Sequence, residues 1–157
     1  MSSRDGYAAD TKVPVDQSRR EIEALLAKAG ADSIAVVSEP HQAMIAFRMR
    51  GSAYRFTLPI PAIDQLRARR AKEGLRTESL AVMQRQRDQL IRSRWRALLL
   101  ALKAKIEAAR AGIIDLEVAL MPFAIIPGGR IVADEVLPKL AEMRTSGRVV
   151  PLLPGAG

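Results

Sequence analysis

Between residues 67 and 105 the chain carries Arg67, Arg69, Arg70, Lys72, Arg76, Arg85, Arg87, Arg92, Arg94, Arg96, Lys103 and Lys105, opposed only by Glu73, Glu78 and Asp88. Arginine dominates this belt, and its planar fork of donors suits bidentate contact with phosphate oxygens. Each phosphate neutralised releases condensed counterions, so such a belt favours nucleic acid at low salt. Arg48, Arg50 and Arg55 lie just upstream and extend the candidate set. The same pattern has a plainer reading. Arginines beside an apolar stripe run their stems along the core edge and keep their heads in water.

Other chemistry finds little support. His41 is the only histidine, sits in a turn-like stretch, and alone makes neither a triad nor a metal site. The chain has no cysteine, which removes disulfides, thiolate ligands and cysteine nucleophiles together. Asp134 and Glu135 are the only adjacent carboxylates, and at a helix start they favour the macrodipole rather than acid–base work. Pro127-Gly128-Gly129-Arg130 lacks the Gly-Lys-Ser/Thr ending of a phosphate loop. No catalytic residue, metal ligand or cofactor is assigned, and the chain reads as a binding protein rather than an enzyme.

Composition bounds the fold. A chain of 157 residues with 48% apolar and 27% charged residues has room for one globular core. Aromatics make up 4%, so Leu, Ile, Val, Ala and Met must fill that core. The net charge of +8 favours polyanionic partners. The polar N-terminus lacks a signal-peptide run, and the longest apolar stretch, 97–102, is far short of the ~20 residues that span a bilayer. The expected setting is a cytoplasm, with no membrane role.

Residues 1–13 read as a disordered tail, and 14–157 as a single α+β domain. A helix begins near Gln17, with Ser18 and Glu21 at capping-box spacing, and Gly30 ends it in the left-handed region. Ser33–Ser38, 43–50 and the run through Tyr54, Phe56 and Leu58 are close enough in sequence to form an antiparallel β-meander. Gly51-Ser52 makes the second reversal. Tyr54 and Phe56 alternate with Arg55, a small basic and aromatic pattern that also reads as an ordinary core face.

Residues 63–77 are expected as a basic loop or arm. From Thr77 or Glu78 a long helix runs to Ala111, where Gly112 stops it. Ile91, Trp95, Leu98, Leu99, Leu102 and Ile106 share one stripe at ~100° per residue. Gln84 and Asp88 fall on the same stripe, so 78–89 is expected to project from the core or to form a separate segment. Ala97, Leu100, Ala101, Ala104 and Ala108 lie opposite Trp95, as on a central helix packed from two sides. A hairpin or loop at Pro127-Gly128-Gly129, a helix over 134–144 and an extended tail over 149–154 close the chain. Leu152 and Leu153 are expected to tuck against apolar surface.

Three stretches together carry a family likeness. They are Arg92-Ser-Arg-Trp-Arg-Ala-Leu-Leu-Leu-Ala-Leu-Lys-Ala-Lys-Ile-Glu-Ala108; Phe47-Arg-Met-Arg-Gly51 with Arg55-Phe-Thr-Leu-Pro-Ile-Pro61; and Ile126-Pro-Gly-Gly-Arg-Ile-Val132. The chain thereby resembles a family of small uncharacterised bacteriophage and prophage proteins, over roughly residues 18 to 153. Gly128 departs from that family's usual aspartate. No activity is established for the family, so no site carries over. The resemblance implies a phage or prophage origin and action in a bacterial host's cytoplasm.

The expected function is nucleic-acid binding, with DNA ahead of RNA, for single-stranded DNA handling or annealing. The alternative is a protein-binding module that docks a host protein or a second copy of itself.

Overall fold

A computed structural model describes residues 11–153 and 155. The elements run α1 (Val15–Lys28), β1 (Ser33–Ser38), β2 (Gln42–Met49), β3 (Ser52–Pro59), α2 (Ile63–Lys72), α3 (Leu80–Arg110), α4 (Leu116–Leu120), a 3-10 turn (Met121–Phe123) and α5 (Val132–Ser146). The fold is α+β, built on a three-stranded antiparallel sheet in the order β1-β2-β3. The expected tail over 1–13 falls mostly outside the described residues, as does Pro154 at the chain's end.

One face of the sheet makes the core. Ala43, Ile45, Phe47 and Met49 of β2 alternate inward, beside Tyr54 and Phe56 of β3. Ile22 and Leu26 of α1 and Trp95, Leu98, Leu99, Leu102 and Ile106 of α3 cover them in one cluster. The helices thus form a layer on one side of the sheet. Phe47 stacks on Tyr54 at 5.4 Å between ring centroids, and Phe56 on Phe123 at 4.0 Å. With so few aromatics in the chain, these stacks and Trp95 supply much of the bulk.

Several boundaries differ from expectation for identifiable reasons. α1 starts two residues early because Pro14, with φ −60°, presets the entry, and its carbonyl accepts from the Gln17 and Ser18 amides. Ser18 is therefore inside the helix and fully buried, not a cap. The β2–β3 reversal is Arg50-Gly51, with φ 52° and 81°, the pair of positive values that a two-residue hairpin demands. Ser52 already belongs to β3.

The stretch expected as a basic loop or arm is mainly helical. Leu, Gln, Ala, Arg and Lys are good helix formers, and α2 holds them with little apolar patterning to reveal it. Gln65 Oε1 accepts from the Ala62 amide at 3.0 Å at the start, and Gly74, at φ 72°, reverses the chain after it.

α3 is a continuous helix of 31 residues, about 46 Å long. Ser79 caps it by accepting from the Val82 amide at 3.3 Å. Its first half does not leave the fold, contrary to the expectation for 78–89. Gln84 and Asp88 are exposed, whereas Met83 is fully buried and Arg87 and Leu90 are half-buried. The covered stripe has rotated around the helix because α2 packs against it there. The opposite side stays open: Ala97, Ala101 and Ala104 are exposed, so the helix is not packed from two sides.

After α4 the chain returns to the sheet. Ala124 bridges Tyr54, and the Ile125 amide donates to the Ala53 carbonyl at 2.8 Å, covering the first part of the free edge of β3. The expected hairpin at Pro127-Gly128-Gly129 forms, with Gly128 and Gly129 at φ 95° and 80°. α5 contains Pro138, which cannot donate to the Asp134 carbonyl one turn back. Arg130 Nη2 supplies the missing donor at 2.7 Å. Leu152 and Leu153 do not tuck in; they are 40% and 50% exposed.

The core account is testable by Leu102→Ala, which removes a fully buried side chain between helix layer and sheet. Urea denaturation should show a loss of about 2–5 kcal/mol. Ala101→Ser, one residue away on the open side, should stay within about 0.5 kcal/mol.

Candidate nucleic-acid interface

The fifteen candidate cations divide by what they already hold. On α2, Arg67, Arg69 and Lys72 are exposed, and Arg76 is exposed in the loop beyond. Arg70 turns inward and binds that loop: Nη2 lies 3.2 Å from Glu78 Oε1, and Nη2 and Nε both donate to the Arg76 carbonyl. Arg69 Nε reaches Glu73 Oε1 at 3.1 Å, but both side chains are largely exposed. Such an i,i+4 pair is worth only about 0.3–0.5 kcal/mol, so a phosphate can displace it.

On α3 the two arginine rows face different neighbours. Along the α1 flank, Arg96 Nη1 pairs with Glu21 Oε2 at 3.0 Å, and Arg92 Nη2 donates to Gln89 Oε1 at 2.6 Å. Arg85 and Lys103 on that row are exposed. Along the other flank, Arg87 is a structural clamp. Its Nε donates to the Pro61 carbonyl at 3.1 Å and its Nη2 to the Pro40 carbonyl at 3.0 Å. It ties the β1–β2 turn and the entry to α2 onto α3. Lys105 Nζ lies 5.5 Å from the Phe123 ring centroid, a cation–π contact.

Arg94 is the unusual member. It is half-buried on α3, and its buried Nη1 has no hydrogen-bond partner. Burial, and secondarily the charge of Arg69, pushes its pKa below the ordinary guanidinium value. Guanidinium pKa values start so high that it keeps its proton. Two arginines thus share the α2–α3 junction, and among the described residues no carboxylate pairs with Arg94. That is an uncompensated cost in the protein alone, and an anion beside the pair would offset it.

The sheet arginines lie elsewhere. Strand alternation puts Arg48 and Arg55 on the face away from the helices, with Ser33, Ala35, Val37, Met44, Ala46 and Thr57. Tyr54 and Phe56 point the other way and are 3% and 6% exposed. The aromatic and basic residues of β3 therefore occupy opposite faces, and no stacking platform forms there. Arg50 sits in the hairpin turn, 4.0 Å from Glu117. The candidates fall into an α2–α3 group, an α1-flank group and a sheet group, not one continuous row.

No protein-family model matches the chain, and neither does any curated protein or solved structure. Among the described residues no group of three or more His, Cys, Asp or Glu could hold a metal ion. No described helix is long and apolar enough to cross a membrane. Arg130, in the loop weighed as a phosphate binder, is taken up by Glu135 Oε2 at 2.6 Å and the Asp134 carbonyl.

Sequence reading missed two points. Arg19, outside the belt, lies 5.7 Å over the Trp95 ring. The meeting of Arg69 with Arg94 depends on α2 folding back along α3, which no local spacing encodes.

The division between structural and free cations has a direct consequence. Arg87→Ala should cost about 1–3 kcal/mol in urea denaturation, since it leaves two carbonyls without their charged donor. Arg67→Ala should change stability by less than about 0.5 kcal/mol.

Proposed function

We propose that the protein binds nucleic acid, DNA in the first instance, through phosphate contacts at α2 and the adjoining flank of α3. The observation that carries this reading is the Arg94–Arg69 junction. A half-buried guanidinium with no carboxylate partner among the described residues is held beside a second one, with Arg67, Lys72 and Arg76 exposed nearby in the chain. Arginines kept only for solubility would be solvated or paired. The preference for DNA rests on the likeness to phage and prophage proteins.

The mode of contact follows from what is buried. Phe47, Tyr54, Phe56 and Trp95 belong to the core and offer no base a stacking surface. Binding is then carried by phosphate charge, with little sequence preference and strong salt dependence. Neutralising two strands at once lowers their repulsion, which is what annealing of complementary strands requires.

The test is fluorescence anisotropy of labelled single- and double-stranded DNA across a salt series. Binding at low salt is expected, with a steep fall in log affinity against log salt. Replacing Arg67, Arg69 and Lys72 together by alanine should flatten that slope by about 2–3. Absence of any anisotropy change at low salt, with both oligonucleotides, would contradict the reading.

Arg94 gives a second check. Arg94→Met removes an unpaired, half-buried charge and should leave stability unchanged or raise it by about 1 kcal/mol. The same variant should weaken DNA binding. A variant that loses stability and keeps full affinity would assign Arg94 to the scaffold.

A protein-binding module is the second reading. Among the described residues eight of the eleven exposed large hydrophobics lie from Ile113 onward, with Ile114, Val118 and Met121 exposed on α4 and its flanks. Failure of the DNA titration would move the account to this surface.

A further inference from the structure

We propose that β1 is a self-association edge, pairing antiparallel with β1 of a second copy to make a continuous six-stranded sheet. This does not depend on nucleic-acid binding. The two edges of the sheet are treated differently. β3 is bridged at its Ala53–Tyr54 end by Ala124 and Ile125 and carries Arg55 and Pro59 beyond it, whereas no described element pairs with the outer side of β1. The bare strand is Ser-Ile-Ala-Val-Val-Ser, uncharged, free of proline and paired to β2 without a bulge. The usual protections of an edge strand, a charge, a proline or a bulge, are therefore missing from it. In a chain of net charge +8 it is also a place where two copies meet without opposing cations.

The ladder fixes which groups are offered. The Glu39 amide donates to the Gln42 carbonyl at 2.8 Å, so Glu39 and Gln42 form a hydrogen-bonded pair in the β1–β2 register. Alternation then directs the main-chain groups of Ile34, Val36 and Ser38 away from β2. A two-fold axis perpendicular to the sheet, midway between the two strands at the level of Val36, pairs Val36 with Val36 of the second copy, and Ile34 with its Ser38. It keeps the helix-covered face of both sheets on one side, as burial of Ile34 and Val36 requires. About six main-chain hydrogen bonds form in this register.

Charge supports the same register. It sets Ser33 of the second copy opposite Glu39, and Ser33 neighbours Arg48 within its own sheet. Arg48 of the second copy then lies two strand spacings from Glu39, about 10 Å at the backbone, on the same outer face. An extended arginine and glutamate span that gap over the small serine between them. Glu39 already lies along this face, where Gln42 Nε2 donates to it at 2.7 Å. No described carboxylate pairs with Arg48. The two-fold repeats the ion pair on the other side, and the open faces carrying Arg48 and Arg55 join into one surface.

A single strand pair buries little area, which puts the dimer in the weak, reversible class. Sedimentation equilibrium over about 10 µM to 1 mM, without nucleic acid, should show a monomer–dimer equilibrium. Arg48→Glu and Glu39→Lys should each raise the dissociation constant by on the order of fivefold. The double exchange should return it to near the original value, because the charges are reversed together. Ser38→Pro removes an outward amide while sparing every bond to β2, and should weaken the dimer with the circular dichroism spectrum unchanged. A monomer throughout the range, or a dimer indifferent to Ser38→Pro, or a double exchange without recovery, would each overturn the proposal.

Discussion

The rest of the structure depends on one constraint: a 31-residue helix with an apolar stripe must be covered along its whole length. The second half of α3 meets that demand with the sheet and α1, through Trp95, Leu98, Leu99, Leu102 and Ile106. The sheet is too short to serve the first half as well. α2 takes over there, folding back against α3, and Met83 is buried in that region outside the main cluster. Arg87 locks the arrangement by bonding the carbonyls of Pro40 and Pro61, where the chain enters and leaves the last two strands.

That solution decides what the cations can do. A stripe flanked by arginines on both sides places each row against whatever covers the stripe. Arg96 meets the acidic side of α1 at Glu21, and Arg87 meets backbone carbonyls, so both are spent on the fold. Where α2 covers the stripe the partner is itself basic. Arg94 then meets Arg69 and finds no carboxylate among the described residues, while Arg69 has only its exposed pair with Glu73, so positive charge concentrates at one junction. The candidate site is therefore a by-product of how the helix is covered. It follows from packing, not from a motif.

The α+β class, the three-stranded meander and the stripe on α3 were legible because each has a clear period. Ile45, Phe47 and Met49 alternate at two, and Trp95, Leu98, Leu102 and Ile106 recur at 3.6. Glycines marked the ends: Gly30, Gly112 and Gly147 all take positive φ. What escaped detection had no period. α2 has too few apolar residues to announce a helix, and the expected projection of 78–89 rested on Gln84 and Asp88 falling on the stripe, whereas the covered side there runs through Met83. Ser18 had the spacing of a cap, but Pro14 had already set the start. Among the candidate cations, the sequence could not tell clamps such as Arg87 from exposed ones such as Arg67. That distinction depends on carbonyls far away in the chain.

The central claim is that free cations at the α2–α3 junction, and not the belt as a whole, meet phosphate. Arginine-selective modification by phenylglyoxal, mapped by mass spectrometry with and without saturating DNA, addresses it most directly. DNA should protect Arg67, Arg69, Arg76 and Arg94, while Arg48 and Arg55 on the opposite face of the sheet react as before. Protection spread evenly over all exposed arginines, or confined to the sheet face, would contradict it.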